Sequence, residues 1–190
     1  IHSPLPNKMS NLKNNLKKLL RSFGYFLFKI IHGKITEAIS SENQKNIKVN
    51  FVRKENNCTY KVYTLNNGRL YTDRVSDTAV IMKNKIISGP SFQYRENNNA
   101  VINDNIKKNL VFSSGTPRFK KNIKGTVLSL LTGGAGNENY WHWMFDVLPR
   151  LGICENLINL DTIDFFLLPD NKKKFQIETL EILKIPKSKQ

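Results

Sequence analysis

The sequence predicts a mixed α/β chain, and three observations carry that prediction. An apolar stripe at helical spacing runs through residues 1–34; two-residue alternation with turn signals begins at residue 47; and two continuous apolar runs, separated by a helical stretch, follow residue 125. The chain has 190 residues and 21.9 kDa, room for one ordinary domain of roughly 100–150 residues with about forty left over. Hydrophobic residues are 39% and charged residues 24%, enough apolar content for a buried core and too much for a disordered chain. The longest apolar stretch, Phe23 to Phe28, ends at the charge of Lys29 and falls far short of the roughly 20 residues that cross a bilayer. Cys58 and Cys154 lie far apart and without C-x-x-C spacing, which suggests neither a zinc ribbon nor a disulfide scaffold and makes a reducing compartment the default. The first residue is Ile1, with no signal-peptide pattern before the fold, so the chain is expected to be clipped at its front.

The first element is a basic amphipathic helix within residues 1–34, expected at 9–32. Leu12, Leu16, Leu19, Leu20, Phe23, Phe26, Leu27, Ile30 and Ile31 recur at helical spacing and the opposite face is basic. Such a helix can lie in a membrane interface beside anionic lipid, or pack its stripe on its own domain or on a missing part of the chain. Gly24 weakens it as one unbroken rod.

Residues 47–95 read as an antiparallel hairpin region. Val49 and Phe51, then Tyr60, Val62 and Thr64, alternate with polar residues. Asn66-Asn67-Gly68 supplies a tight turn with residues 69–74 as its return strand, and residues 79–82 and 85–88 form a second hairpin around Lys83-Asn84. Residues 96–124 are expected as a loop-rich connection, with Asn97-Asn98-Asn99 and the polar stretch 103–109 as loop. The sequon Asn57-Cys58-Thr59 is an acceptor only in a secretory lumen and is read as chance.

Residues 125–190 form the third style. Residues 126–131 and 163–168 are apolar runs of buried-strand length. The loop Gly133-Gly134-Ala135-Gly136 leads from the first run into a helix of about eighteen residues beginning at Asn139, and a second helix spans residues 172–184 with Phe175, Leu180 and Leu183 inward. Strand, helix, strand, helix is a partial parallel α/β unit, whose exposed edges predict that the polypeptide continues past Gln190.

Thirty Lys and Arg against fifteen Asp and Glu give a net charge of +15, a field favouring anionic partners. Seven of those bases, and no acid, lie in residues 1–34. The remainder is rich in Lys, Asn and Ile, as AT-biased coding produces without selection for a polyanion.

One segment, residues 133–151, concentrates both tryptophans with His142, Asp146, Pro149 and Arg150. It comes after the carboxyl end of a predicted buried strand, where open α/β sheets place ligand crevices. Asn137 or Asn139 can cap the helix. The glycines match neither G-x-G-x-x-G nor a P-loop. His142, Asp146 and Arg150 are four apart, so on a regular helix they share a face. A carboxylate beside an imidazole orients it and raises its basicity, as a general base requires; alternatively the three side chains only hold the helix to its neighbours. Of Trp141 and Trp143, one is expected to face the core and the other to offer a stacking surface. Pro149 should kink the helix.

Asn139-Tyr140-x-His142-Trp143 followed by Leu148-Pro149-Arg150-Leu151 resembles the N-Y-x-H-W…L-P-R-L signature of glycosyltransferase family 61. The resemblance covers roughly residues 60–185, including the stretch Gly68 to Thr72, and leaves the basic helix outside. It implies an inverting, nucleotide-sugar-dependent transferase of the GT-B type, with two Rossmann-like domains facing a cleft. This chain would supply an incomplete Rossmann-like domain, the acceptor-side half, with the carboxy-terminal donor domain absent. By that resemblance Asn139, Trp143 and Arg150 are expected to bind substrate; geometry and resemblance together make His142 the expected catalytic residue, as base or as ligand of the acceptor hydroxyl, with Asp146 as its helical partner in that role. A nucleotide sugar is the implied co-substrate. Its binding residues are not named in this chain, and no metal is expected, since no D-x-D occurs.

The expected acceptor is a glycan or lipid-linked glycan, in envelope polysaccharide synthesis, and the basic amphipathic helix would fit a cytoplasmic enzyme peripheral to the inner face of the membrane. The competing reading is a non-catalytic basic module binding carbohydrate, membrane or nucleic acid. Nucleic acid is disfavoured as a partner, because residues 133–151 gather Trp, His, Asp and Pro instead of interleaving bases with aromatics. A transferase-like remnant that only binds carbohydrate is the third.

Overall fold

A computed structural model describes residues 8–42, 44–55, 58–73, 77–97, 99–103, 105–131, 133–136, 138–170 and 173–190. Asn57 of the sequon, Arg74, Asn98, Asn137 and Lys172 lie outside the described residues. The chain is mixed α/β, with helices and, among the described residues, three separate sheets.

Helix α1 spans Lys8–His32, one residue longer at its start than its stripe predicts and unbroken at Gly24. After it come β1 (Glu37–Ser40), β2 (Ile47–Glu55), β3 (Cys58–Leu65), β4 (Arg69–Thr72), β5 (Asp77–Met82), β6 (Lys85–Ser88), β7 (Phe92–Asn97) and β8 (Asn99–Asn103). A six-stranded sheet runs β1-β6-β5-β7-β8, with β4 also on β5. All its pairings are antiparallel except β1 with β6.

The antiparallel region therefore forms, with three corrections. First, the expected hairpin across Asn66-Asn67-Gly68 does not. Asn67 adopts the expected positive φ of 55°, yet the turn leads from one sheet to another: β3 pairs β2, and β4 pairs β5. Second, the inward face of β3 is of opposite parity. Ile47 pairs Leu65 and Val49 pairs Tyr63, and Val49 and Leu65 pack against buried Ile47, Met82 and Ile87. Tyr60 and Thr64 are exposed; a one-residue change of register turns every side chain over, which alternation within one strand cannot reveal. Third, the connection 96–124 is less loop-rich than expected, since it contains β8, a short 3₁₀ turn Ile106–Lys108 and helix α2 (Val111–Ser114).

The hairpin at Lys83-Asn84 forms as predicted. Both residues have positive φ, 48° and 60°, the geometry of a two-residue turn that matches strand twist. Ile81 faces Ile86 across it. Beyond Gly89-Pro90 the Ser91 hydroxyl donates to the Val80 carbonyl and accepts from its N–H, so a side chain carries the sheet across the break between β6 and β7. Ile35, Ala79, Ile81, Ile86 and Val111 form the core of this region.

Residues 125–190 keep the predicted order. Strand β9 (Val127–Ser129) pairs in parallel with β10 (Phe165–Leu167), and between them lies a helical stretch of three pieces: α3 (Tyr140–His142), a π-turn (Trp143–Val147) and α4 (Leu148–Glu155). Helix α5 spans Lys174–Ile182. The strands are shorter than the apolar runs and are not buried on both faces. Val127 and Phe165 are exposed while Phe166 is buried, so only one face of this sheet is covered, and Leu130 and Leu131, past the strand end, are buried. Leu180 is buried, whereas Leu183, expected inward, is exposed beyond the helix end. The core of this unit is Leu130, Ala135, Trp143, Val147, Leu151, Ile163, Phe166, Leu180 and Ile185. It meets the six-stranded sheet where the Thr78 hydroxyl donates to the Leu131 carbonyl at 3.4 Å.

Candidate active site

The helical stretch after the glycine loop begins at Asn139, whose backbone is extended and whose side-chain oxygen accepts from the Trp141 N–H at 2.8 Å. Asn139 is thus the helix cap, satisfying a donor that the first turn cannot pair internally. The loop is held down by Ala135, which is fully buried in the core.

Pro149 shapes the middle of this stretch. It has no N–H and its ring would collide with the carbonyl of Phe145 in a regular α-helix. The chain responds with the π-turn, in which the Leu148 N–H bonds the Trp143 carbonyl five residues back, and Pro149 then sits in the first turn of α4. The predicted kink is therefore realised as a widened turn, a feature that recurs at functional sites.

His142 and Asp146 meet across that turn. Nδ1 of His142 lies 2.5 Å from Oδ2 of Asp146, with both side chains about one-third exposed, 34% and 38%. A carboxylate on Nδ1 holds the proton there and leaves Nε2 as the basic nitrogen; Nε2 bonds no described residue. Arg150 donates from Nε to the Asp146 backbone carbonyl, so the three residues four apart in sequence do converge. Burial pulls the Arg150 guanidinium below its ordinary pKa, opposed by the charges of Asp146 and Cys154.

The two tryptophans part as expected. Trp143 is fully buried and donates from Nε1 to the Thr179 hydroxyl at 2.8 Å, tying the helix to α5. A buried ring offers no face to a ligand, so the expectation that Trp143 contacts substrate is corrected to a core role. Trp141 is 64% exposed and lies against Phe145, ring centroids 4.2 Å apart. Phe145, absent from the residues singled out by sequence, is 59% exposed; its spacing of four from Trp141, the same as His142 to Asp146, was the available signal.

The side chains of His142 and Asp146 bond no other element among the described residues; the anchor of the helix is Trp143. A groove of about 420 Å³ lined by Leu148, Leu151, Gly152, Ile182, Leu183 and Ile185 adjoins the same helical stretch between α4 and the end of α5, and includes none of the expected site residues. Among the described residues no three His, Cys, Asp or Glu side chains gather as a metal site. Compared with protein-family models, with curated proteins and with solved structures, the chain matches none.

Proposed function

We propose that this chain is the acceptor-side half of an inverting, GT-B-type glycosyltransferase with the family 61 signature. The observation that carries the reading is the His142–Asp146 pair, with Nδ1 held at 2.5 Å and the ring one-third exposed. The signature residues Asn139, His142 and Arg150 lie on one helical stretch beside the glycine loop, which supports it. An acceptor hydroxyl gives its proton to Nε2 of His142 as its oxygen attacks the anomeric carbon of a nucleotide sugar. The bond from that carbon to the diphosphate breaks, inverting the centre and releasing nucleoside diphosphate, while Asp146 stabilises the imidazolium. Arg150, donating from Nε to the Asp146 backbone carbonyl, braces the turn that carries that carboxylate. The exposed Trp141–Phe145 pair would offer a sugar-stacking face beside the base.

The acceptor in this reading is a glycan or lipid-linked glycan of the cell envelope, reached from the cytoplasmic side. In the full-length protein, His142→Ala should lower kcat for sugar transfer by about 10²–10⁴-fold, the worth of a general base. A variant transferring sugar at the normal rate would remove His142 from the mechanism. A second reading, a non-catalytic basic binding module, is favoured by helix α1 with its cations. It predicts binding to polyanions that falls steeply with salt and is indifferent to His142→Ala.

A further inference from the structure

Helix α1 has 25 residues and is therefore about 37 Å long. Its apolar stripe is not covered. Leu12, Leu16, Leu19, Leu20, Phe23 and Phe26 are each 56–72% exposed, and Leu27, Ile30 and Ile31 continue the same face at 40–66%. Residues 11–23 are exposed on every side, so the first half of the helix stands clear of the body.

The last two turns are pinned, and by the opposite face. Phe28 sits edge-on to Phe119 with centroids 5.3 Å apart, Lys29 donates to the Ser113 carbonyl at 2.5 Å, and Nε2 of His32 lies 2.8 Å from the Arg118 carbonyl. Arg69 donates to the His32 carbonyl at 3.1 Å. Gly115, with φ +67°, makes the close approach possible: a Cβ there would stand 2.9 Å from Cγ of Lys29. At about 100° per residue, Phe28, Lys29 and His32 lie more than a quarter turn from the centre of the stripe, so this docking turns the stripe outward.

Charge selects the occupant. Along the free part of the helix Lys13, Lys17, Lys18 and Arg21 have no acidic residue beside them. Lys13 and Lys17 border the stripe, where long side chains reach polar headgroups while the stem stays apolar. A second copy would bring the same cations against these, with no acid to pair them. No helix among the described residues is long and apolar enough to cross a membrane. We infer that α1 lies in the plane of an anionic phospholipid bilayer, its stripe in the acyl boundary and its cations among the headgroups. The inference stands apart from the transferase reading, since it uses no residue of that site.

The experiment is vesicle co-sedimentation of the whole chain. The expected result is binding to phosphatidylcholine vesicles containing about one-third phosphatidylglycerol, weakened by added salt, and little binding to phosphatidylcholine alone. Leu19→Asp with Phe23→Asp should weaken binding at least about tenfold, and Lys17→Glu with Arg21→Glu should do the same. These positions are exposed, so circular dichroism and melting should be unchanged, and Ile182→Asp, exposed on the body, should bind as the parent does. Equal binding to both vesicles, binding untouched by either pair of substitutions, or no binding would overturn the inference. So would self-association, seen by sedimentation, that Leu19→Asp abolishes in the absence of lipid.

Discussion

Helix α1 and the helical stretch 140–155 carry similar patterns and meet opposite fates. Both repeat apolar residues at three and four, yet α1 leaves Leu19 and Phe23 68% and 59% exposed, while the second stretch seals Trp143 and Val147 completely. The difference lies in what each finds opposite. Trp143 and Val147 share a core with Leu130 just past β9, Phe166 of β10 and Leu180 of α5, whereas α1 docks by the face away from its stripe, through Phe28, Lys29 and His32. Amphipathic periodicity thus marks a face that wants cover without saying what covers it.

The largest effect expected from this contrast is Trp143→Ala. Removing a fully buried ring and its bond to Thr179 should cost about 3–5 kcal/mol in denaturant unfolding, whereas Phe23→Ala should shift stability by no more than about 0.5 kcal/mol. A comparable loss from both would mean that α1 is packed after all. Next comes Gly125→Ala, just before β9. Gly125 has φ +136°, and a Cβ would stand 2.6 Å from Oδ2 of Asp164, the oxygen that accepts from the Thr126 N–H at 2.7 Å; strain plus loss of that bond should lower the melting point by the equivalent of about 1–3 kcal/mol.

A third test sharpens the comparison through pH. Burial raises the pKa of the Cys154 thiol, with Arg150 opposing. The native state therefore keeps the proton that the unfolded chain releases first, so stability should hold at neutral pH and fall as pH rises above the usual thiol range of roughly 8.5. Cys154→Ala should flatten that first part of the alkaline slope in urea melts. Tyr63 and Tyr71, both raised chiefly by burial, act in the same sense near pH 10 and above. The smallest effect on stability belongs to His142→Gln and Asp146→Asn. Neither side chain bonds another element among the described residues, so each should move unfolding by no more than about 0.5 kcal/mol. A loss of several kcal/mol would reveal the pair as a structural tie.

Much of this was legible in sequence because it is local. The extent of α1, the turn at Lys83-Asn84, the cap at Asn139, the order of strands and helices after residue 125 and the meeting of His142 with Asp146 all stem from residue type and spacing within a few positions. The π-turn was half legible. Pro149 announces an interruption, but whether a helix kinks or widens depends on which side chains must stay buried, and here Trp143 and Val147 keep their places in the core.

What the chain determined alone is its division into a basic helix, an antiparallel region and a parallel α/β unit, since each is written in a short-range period. Tertiary structure decided the pairing of β3 with β2, the parity of its inward face, the parallel β1, the burial of Trp143 and the exposure of the α1 stripe. Those outcomes rest on contacts between residues distant in sequence, and the free energy of such contacts depends on which surfaces meet, a quantity no local pattern contains.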